Sequence, residues 1–189
     1  MIRGFEEQFE EETILKIRQL LKRIASFSMP AGVSHYYAVD LSLCLQAGAL
    51  LAALQVASSL LEIFIRETVI ERASEAYSDS HKPVGAFQNK LEEMRNVGFK
   101  QMANELASSG IISIEDAKIA IQFYDDVRIP IHHGLPARFV RDTGKHQLIM
   151  DTLFGYTQQV NHRDFEEIIE ENALALVDIA VGIIERNQQ

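Results

Sequence analysis

Apolar residues recur along this chain at three- and four-residue spacing, the period of an α-helix, with no regular strand alternation and no hairpin signal. The spacing predicts a first helix over Phe5–Phe27, with Ile14, Ile17, Leu21 and Ile24 on its inner side. Met29-Pro30-Ala31-Gly32 then stops it. A second helix is expected to start near Asp40, a good N-cap, or a turn earlier at Ser34, and to reach Tyr77. A helix from 40 to 77 would be about 57 Å long, longer than a small domain is wide. It must therefore bend, with Gly48 as the candidate position, or project from the body. Ser80-His81-Lys82-Pro83-Val84-Gly85 reads as a linker. A third helix is predicted over Ala86–Ser108, on Phe87, Leu91, Met94, Met102 and Leu106, with Gly110 as its stop. Ser113, with Asp116 three residues on, caps a fourth. Residues 135–160 form a loop or small insertion. A last helix opens at Asn161 and buries Phe165, Ile168, Ile169, Leu176, Ile179 and Ile183.

The expected architecture is all-α: an up-and-down bundle of about five helices in a single domain over residues 1–189, with the insertion before the last helix. A length of 189 residues and a 47% hydrophobic content suit one ordinary core. Leu41–Leu61 carries no charged residue over 21 positions, long enough to span a membrane. Ser42, Gln46, Gln55, Ser58 and Ser59 interrupt it on several faces, and no Lys or Arg flanks it directly. It reads as a buried central helix rather than a span.

Charge narrows the function. The formal net charge is -9, so any nucleic-acid binding must come from a local basic patch. The single cysteine, Cys44, excludes an intrachain disulfide and a cysteine-based zinc site, and suits a reducing cytoplasm. The N-terminus is acidic and has no apolar signal core. No HExxH, di-iron Glu-x-x-His pairing, phosphate-binding glycine loop or nucleophile elbow occurs. Neither a metal nor a cofactor is expected.

The candidate chemistry gathers at the end of the fourth helix, in FYDDVRIPIHHGLP (Phe123–Pro136). Ile114, Ala117, Ile121 and Tyr124 form one stripe at 100° per residue, and Arg128 falls in the middle of it, with His132 four residues on. Pro130 is expected to kink the last turn. As a bare pattern, Arg-x4-His is weak, because chance supplies roughly one such pair in a chain of this composition. Placement on an inward-facing stripe is what singles out Arg128, His132 and His133. The structural reading is that these cations complement the negative end of the helix. A second basic run, Arg138, Arg141, Lys145 and His146, is a candidate phosphate-binding or RNA-binding rim. Its alternative is a solvated loop. Tyr36-Tyr37 and Phe123-Tyr124 read as core rather than stacking platforms.

DDVRIPIHHGL, together with the small-residue helix AALQVASSLLEIFIRE, resembles the HEPN superfamily, whose mark is an R-x4-6-H motif. The resemblance covers Asp40–Gly134 directly and the rest of the bundle loosely. It matches the superfamily arginine to Arg128 and its histidine to His133, with His132 as the other candidate base. Ile129 stands where many members carry a polar residue. The resemblance implies a homodimer whose paired Arg and His residues meet at the interface. It further implies a metal-independent endoribonuclease of toxin or defence type, with RNA as substrate and a protein antitoxin as a partner. The alternative is a non-catalytic protein-interaction or ligand-sensing module.

Overall fold

The structure is a computed structural model that describes residues 5–28, 33–78, 92–93, 96–133 and 162–188. After a 3-10 turn at Phe5–Glu7 come α1 (Glu11–Ile24), α2 (Ser34–Gln46) and α3 (Leu50–Ser78). They are followed by α4 (Phe99–Ser108) and α5 (Ile114–Phe123). A π-helical turn (Tyr124–Arg128) joins α5 to the short α6 (Ile129–His133), and α7 (His162–Asn187) closes the chain. The described residues contain helices and no strands, an all-α bundle as the periodicity predicts.

The centre is α3. It packs against α2, α4, α7 and the π turn. Ala53, Leu54, Ala57, Leu60, Leu61, Phe64, Ile65 and Val69 are all buried. These positions form a band wider than one helical stripe, because neighbours cover α3 on several sides. Each of its large side chains contributes roughly 1.5–3 kcal/mol by leaving water. The uncharged run thus serves as core, and among the described residues no helix is long and apolar enough to cross a membrane.

The long second helix that the periodicity predicts is two helices. Gly48 takes φ +72°, a left-handed conformation, between α2 and α3. Its N–H bonds to the Leu45 carbonyl and the Ala49 N–H to the Cys44 carbonyl, both at 3.0 Å. This is the paired bonding of a Schellman stop. Gly110 ends α4 the same way, at φ +70°, with Gly110 bonded to Ala107 and Ile111 to Leu106.

The start of α2 is Ser34, not Asp40, which lies exposed within the helix. Its cap comes from elsewhere in the chain. The Glu67 carboxylate on α3 accepts hydrogen bonds from the N–H groups of Val33 and Ser34, placing negative charge at a helix N-terminus. Ser113 caps α5 as expected, accepting the Asp116 N–H at 2.9 Å.

The first helix is also shorter than predicted, since a 3-10 turn precedes α1. Tyr36 is exposed rather than core. The third helix predicted over Ala86–Ser108 is not continuous: residues 96–98 are non-helical and α4 begins only at Phe99, after Gly98 in an extended conformation. The expected starts at Ala86 and Asn161, and the insertion at 135–160, lie outside the described residues.

Candidate functional site

The buried face of α5 runs through Ala117, Ala120, Phe123 and Val127. The predicted stripe is therefore rotated by about one position. Ile114 is 67% exposed, whereas Ile121 and Tyr124 are half-buried. Ala117 and Ala120, rather than the larger Ile114 and Ile121, lie on its buried side. Arg128 consequently sits on the flank of the buried face, not in its middle.

Just before Pro130 the helix widens into a π turn. The Ile129 N–H bonds to the Tyr124 carbonyl five residues back. A proline in a regular α-helix lacks one N–H and presses its ring on the carbonyl four residues earlier, here that of Asp126. Such π turns are rare and recur at functional sites.

The π turn is fixed from two sides. The Tyr124 ring stacks on Phe99 of α4 at 4.4 Å between centroids, with 10° between planes. Lys100 pairs with Asp125 at 2.6 Å. On the other side Arg128 meets α3, where its Nε donates to Glu62 Oε2 at 3.0 Å. The two side chains are only 19% and 20% exposed. The second Glu62 oxygen lies 3.7 Å from Arg66 Nη2, one turn along α3. Arg128 Nη1 is enclosed and has no hydrogen-bond partner among the described residues.

One turn further on, His132 also touches α3. Its Nε2 is 3.1 Å from Ser58 Oγ and 3.5 Å from Ser59 Oγ. Ser58 and Glu62 are one turn apart on α3, and Arg128 and His132 are four residues apart on the opposing rod. The result is a two-rung contact, Arg128 to Glu62 and His132 to Ser58.

The structure thus brings Arg128 and His132 to one strip of α3. His133 ends α6, and its side chain lies outside the described residues, as do Arg138, Arg141, Lys145 and His146. Glu62 and Ser58 are the partners that local periodicity missed. Glu62 did leave a signal: it is the first acid after the 21 uncharged positions of Leu41–Leu61. A carboxylate on a helix predicted to be buried needs a counter-charge.

A second polar cluster is structural. Asp116, 5% exposed, accepts from Arg186 Nη2 at 2.5 Å and from Asn187 Nδ2 at 2.9 Å. Burial alone would raise its pKa. The hydrogen bonds from Arg186, Asn187 and Ser113, with the Arg186 charge, outweigh that and hold the carboxyl below the usual range. This ties the start of α5 to the end of α7. Burial, and then the charge of Asp40, push the Cys44 thiol up, which disfavours the reactive thiolate. Among the described residues no three His, Cys, Asp or Glu side chains gather to hold a metal.

Comparison of the chain with protein-family models, with curated proteins and with solved structures finds no match.

Proposed function

We propose that the chain is a HEPN-like helical domain that cleaves RNA without a metal, acting as a homodimer with the Arg128 helix end at the shared surface. The observation that supports this reading is that Arg128 and His132 meet one strip of α3, through Glu62 and Ser58. Arginine stays charged and offers a planar fork to phosphate oxygens. Histidine titrates near neutral pH and accepts or returns a proton. In the reaction a histidine takes the proton of a ribose 2′-hydroxyl, and that oxygen attacks the adjacent phosphorus. The bond to the 5′-oxygen breaks, the leaving oxygen takes up a proton, and a 2′,3′-cyclic phosphate remains. Arg128 offsets the charge growing on the phosphoryl oxygens. The 2′-hydroxyl restricts the chemistry to RNA. A toxin or defence role, a protein antitoxin and a cytoplasmic setting belong to the same reading, and rest on the resemblance and on the single cysteine.

The test is cleavage of single-stranded and structured RNAs by the purified chain in the presence of a metal chelator. Cleavage is expected to survive the chelator. It is expected to fall by at least ~10²-fold in Arg128→Ala and on loss of the histidine that serves as base, His132 or His133. Absence of cleavage across varied RNAs, or cleavage untouched by these changes, overturns the proposal. A non-catalytic interaction module is the second reading. The ion pair with Glu62, which encloses most of Arg128, favours it. Under that reading Arg128→Ala destabilises the fold and no activity is lost.

A further inference from the structure

We propose that the outward face of α2 is a contact surface on which a second copy of this chain packs its own α2, side by side and in the same direction. The inference stands without the ribonuclease reading and concerns a different surface. Ser34, Ala38, Leu41 and Leu45 form the buried side of α2. The opposite side of a helix on the outside of a bundle is ordinarily polar. Here Tyr36 is 69% exposed, Val39 46% and Leu43 56%. Among the described residues, large exposed apolar side chains stand singly on α1, α3 and α5. On α2 they line up. Tyr36, Val39, Leu43 and the exposed Gln46 follow at steps of three, four and three residues, the seam of a coiled coil. At its exposure Tyr36 alone shows roughly 100–170 Å². The three apolar side chains together show roughly 300 Å², a size at which an apolar patch is often functional.

Charge selects the occupant. The chain carries a net charge of -9, so two copies repel except where a face is nearly uncharged. Over Ser34–Gln46 there is no Lys or Arg and a single acid, Asp40. Asp40 flanks the seam on one side. His35, five residues earlier, flanks it on the other, and both are exposed. These are the flanking positions that face one another across a parallel pair. His35 of each copy then reaches Asp40 of the other, and the two-fold axis repeats the contact. In an antiparallel pair Val39 would meet Leu43, and the two Asp40 carboxylates would share one side. The surface is separate from the Arg128 helix end. Glu67, which caps α2, and Glu62, which holds Arg128, are five residues apart on α3, about 140° around its axis. A standard interface takes about 800 Å² from each partner. The seam with its flanking residues is smaller, so the association is modest and depends on concentration.

Sedimentation equilibrium over a wide range of protein concentration reads the association, on the wild type, Leu43→Glu, Asp40→Lys and the double variant His35→Glu/Asp40→Lys. The changed positions are exposed, so circular dichroism should show each variant as helical as the wild type. The wild type is expected to exceed the mass of a monomer. Leu43→Glu sets two carboxylates against each other in the seam and should weaken association by ~100-fold or more. Asp40→Lys should weaken it about tenfold, because the axis repeats the lost pair. The double variant restores opposite charges and should recover it. With Cys44 replaced by serine, oxidation should link Val39→Cys chains to one another. A wild type that stays monomeric at every concentration overturns the proposal and leaves the face to a different partner. Association that ignores Leu43→Glu overturns it as well, and assigns the contact to another surface, such as the Arg128 helix end. If Val39→Cys links only to Leu43→Cys, the parallel arrangement is overturned.

Discussion

Glu62→Ala is expected to cost more stability than Arg128→Ala, although the two changes delete the same 3.0 Å hydrogen bond. The reason is what each leaves behind. After Arg128→Ala, Glu62 keeps Arg66 Nη2 at 3.7 Å and can close on it. After Glu62→Ala, Arg128 is a guanidinium 19% exposed, with Nη1 already lacking a partner and Nε newly without one. A charge-assisted hydrogen bond contributes about 1.5–3 kcal/mol net, and a buried donor left unsatisfied costs about 1–3 kcal/mol. The pair lies between the exposed limit of about 0–1 kcal/mol and the fully buried limit of about 3–5 kcal/mol for removing one partner. That places Glu62→Ala at about 2–3 kcal/mol and Arg128→Ala at about 1–2 kcal/mol, with a coupling near 1–2 kcal/mol in the double-mutant cycle. Urea unfolding at neutral pH reads this directly. With a slope of about 2 kcal/mol/M, the midpoint should fall by about 1–1.5 M for Glu62→Ala and 0.5–1 M for Arg128→Ala. Because the pair is mostly enclosed, raising the salt should change the coupling little. Equal costs, a larger cost for Arg128→Ala, or a coupling below about 0.5 kcal/mol would refute the argument from the stranded guanidinium.

Two further changes probe the frame around the site. Asp116→Asn removes a charge whose folded pKa is depressed by Arg186 and Asn187. A depressed carboxylate contributes stability above its unfolded pKa of about 3.9 and loses it as pH falls through the lower folded value. Wild-type stability should therefore drop below about pH 4 more steeply than that of Asp116→Asn, and parallel pH curves would show that the carboxylate is not held as described. Near pH 7 the substitution should cost about 1–2 kcal/mol, discounted because Arg186 is half in water. Gly48→Ala and Gly110→Ala form a pair, since both glycines have φ near +70°. An added Cβ meets Phe9 Cε2 at 3.0 Å and Gln8 at 3.1 Å in the first, and nothing within 4 Å in the second. Gly110→Ala should cost about 1–2 kcal/mol for the backbone alone, and Gly48→Ala more. A smaller thermal shift for Gly48→Ala than for Gly110→Ala would contradict the packing of Phe9 on this turn.

Features set by neighbours along the chain are legible in the amino-acid order itself. The helical class follows from the three-to-four spacing, and the stop of α4 follows from Gly110, where only glycine takes a left-handed backbone cheaply; at Gly48 the order marked a bend, and the structure makes it a stop as well. Ser113 is a cap because its oxygen reaches the N–H three residues on. The features that escaped depend on partners far away in sequence. Nothing near Ser34 announces that Glu67, 33 residues later, caps α2. The rotation of α5 escaped because an alanine counts for little in a hydropathy stripe, yet it decides how near another helix can come. The π turn escaped for a related reason: Pro130 forces a departure from the α-helix, but a kink and a widened turn both relieve it, and the stack of Tyr124 on Phe99 accompanies the second.

The same distinction bears on the reading of Arg128. A lone charge bordering an uncharged helix demands a counter-charge, so Glu62 and an inward arginine imply one another on structural grounds alone. That pairing would suffice to explain why an arginine stands at this position. It does not account for Nη1, which is enclosed without an acceptor among the described residues. Nor does it account for the histidine one turn on, whose Nε2 lies 3.1 Å from the hydroxyl of the buried Ser58. Stability and cleavage therefore separate the two duties. Under the ribonuclease reading, Glu62→Ala is expected to be the larger loss in unfolding and Arg128→Ala the larger loss in activity. A single structural role would put both losses in the same order.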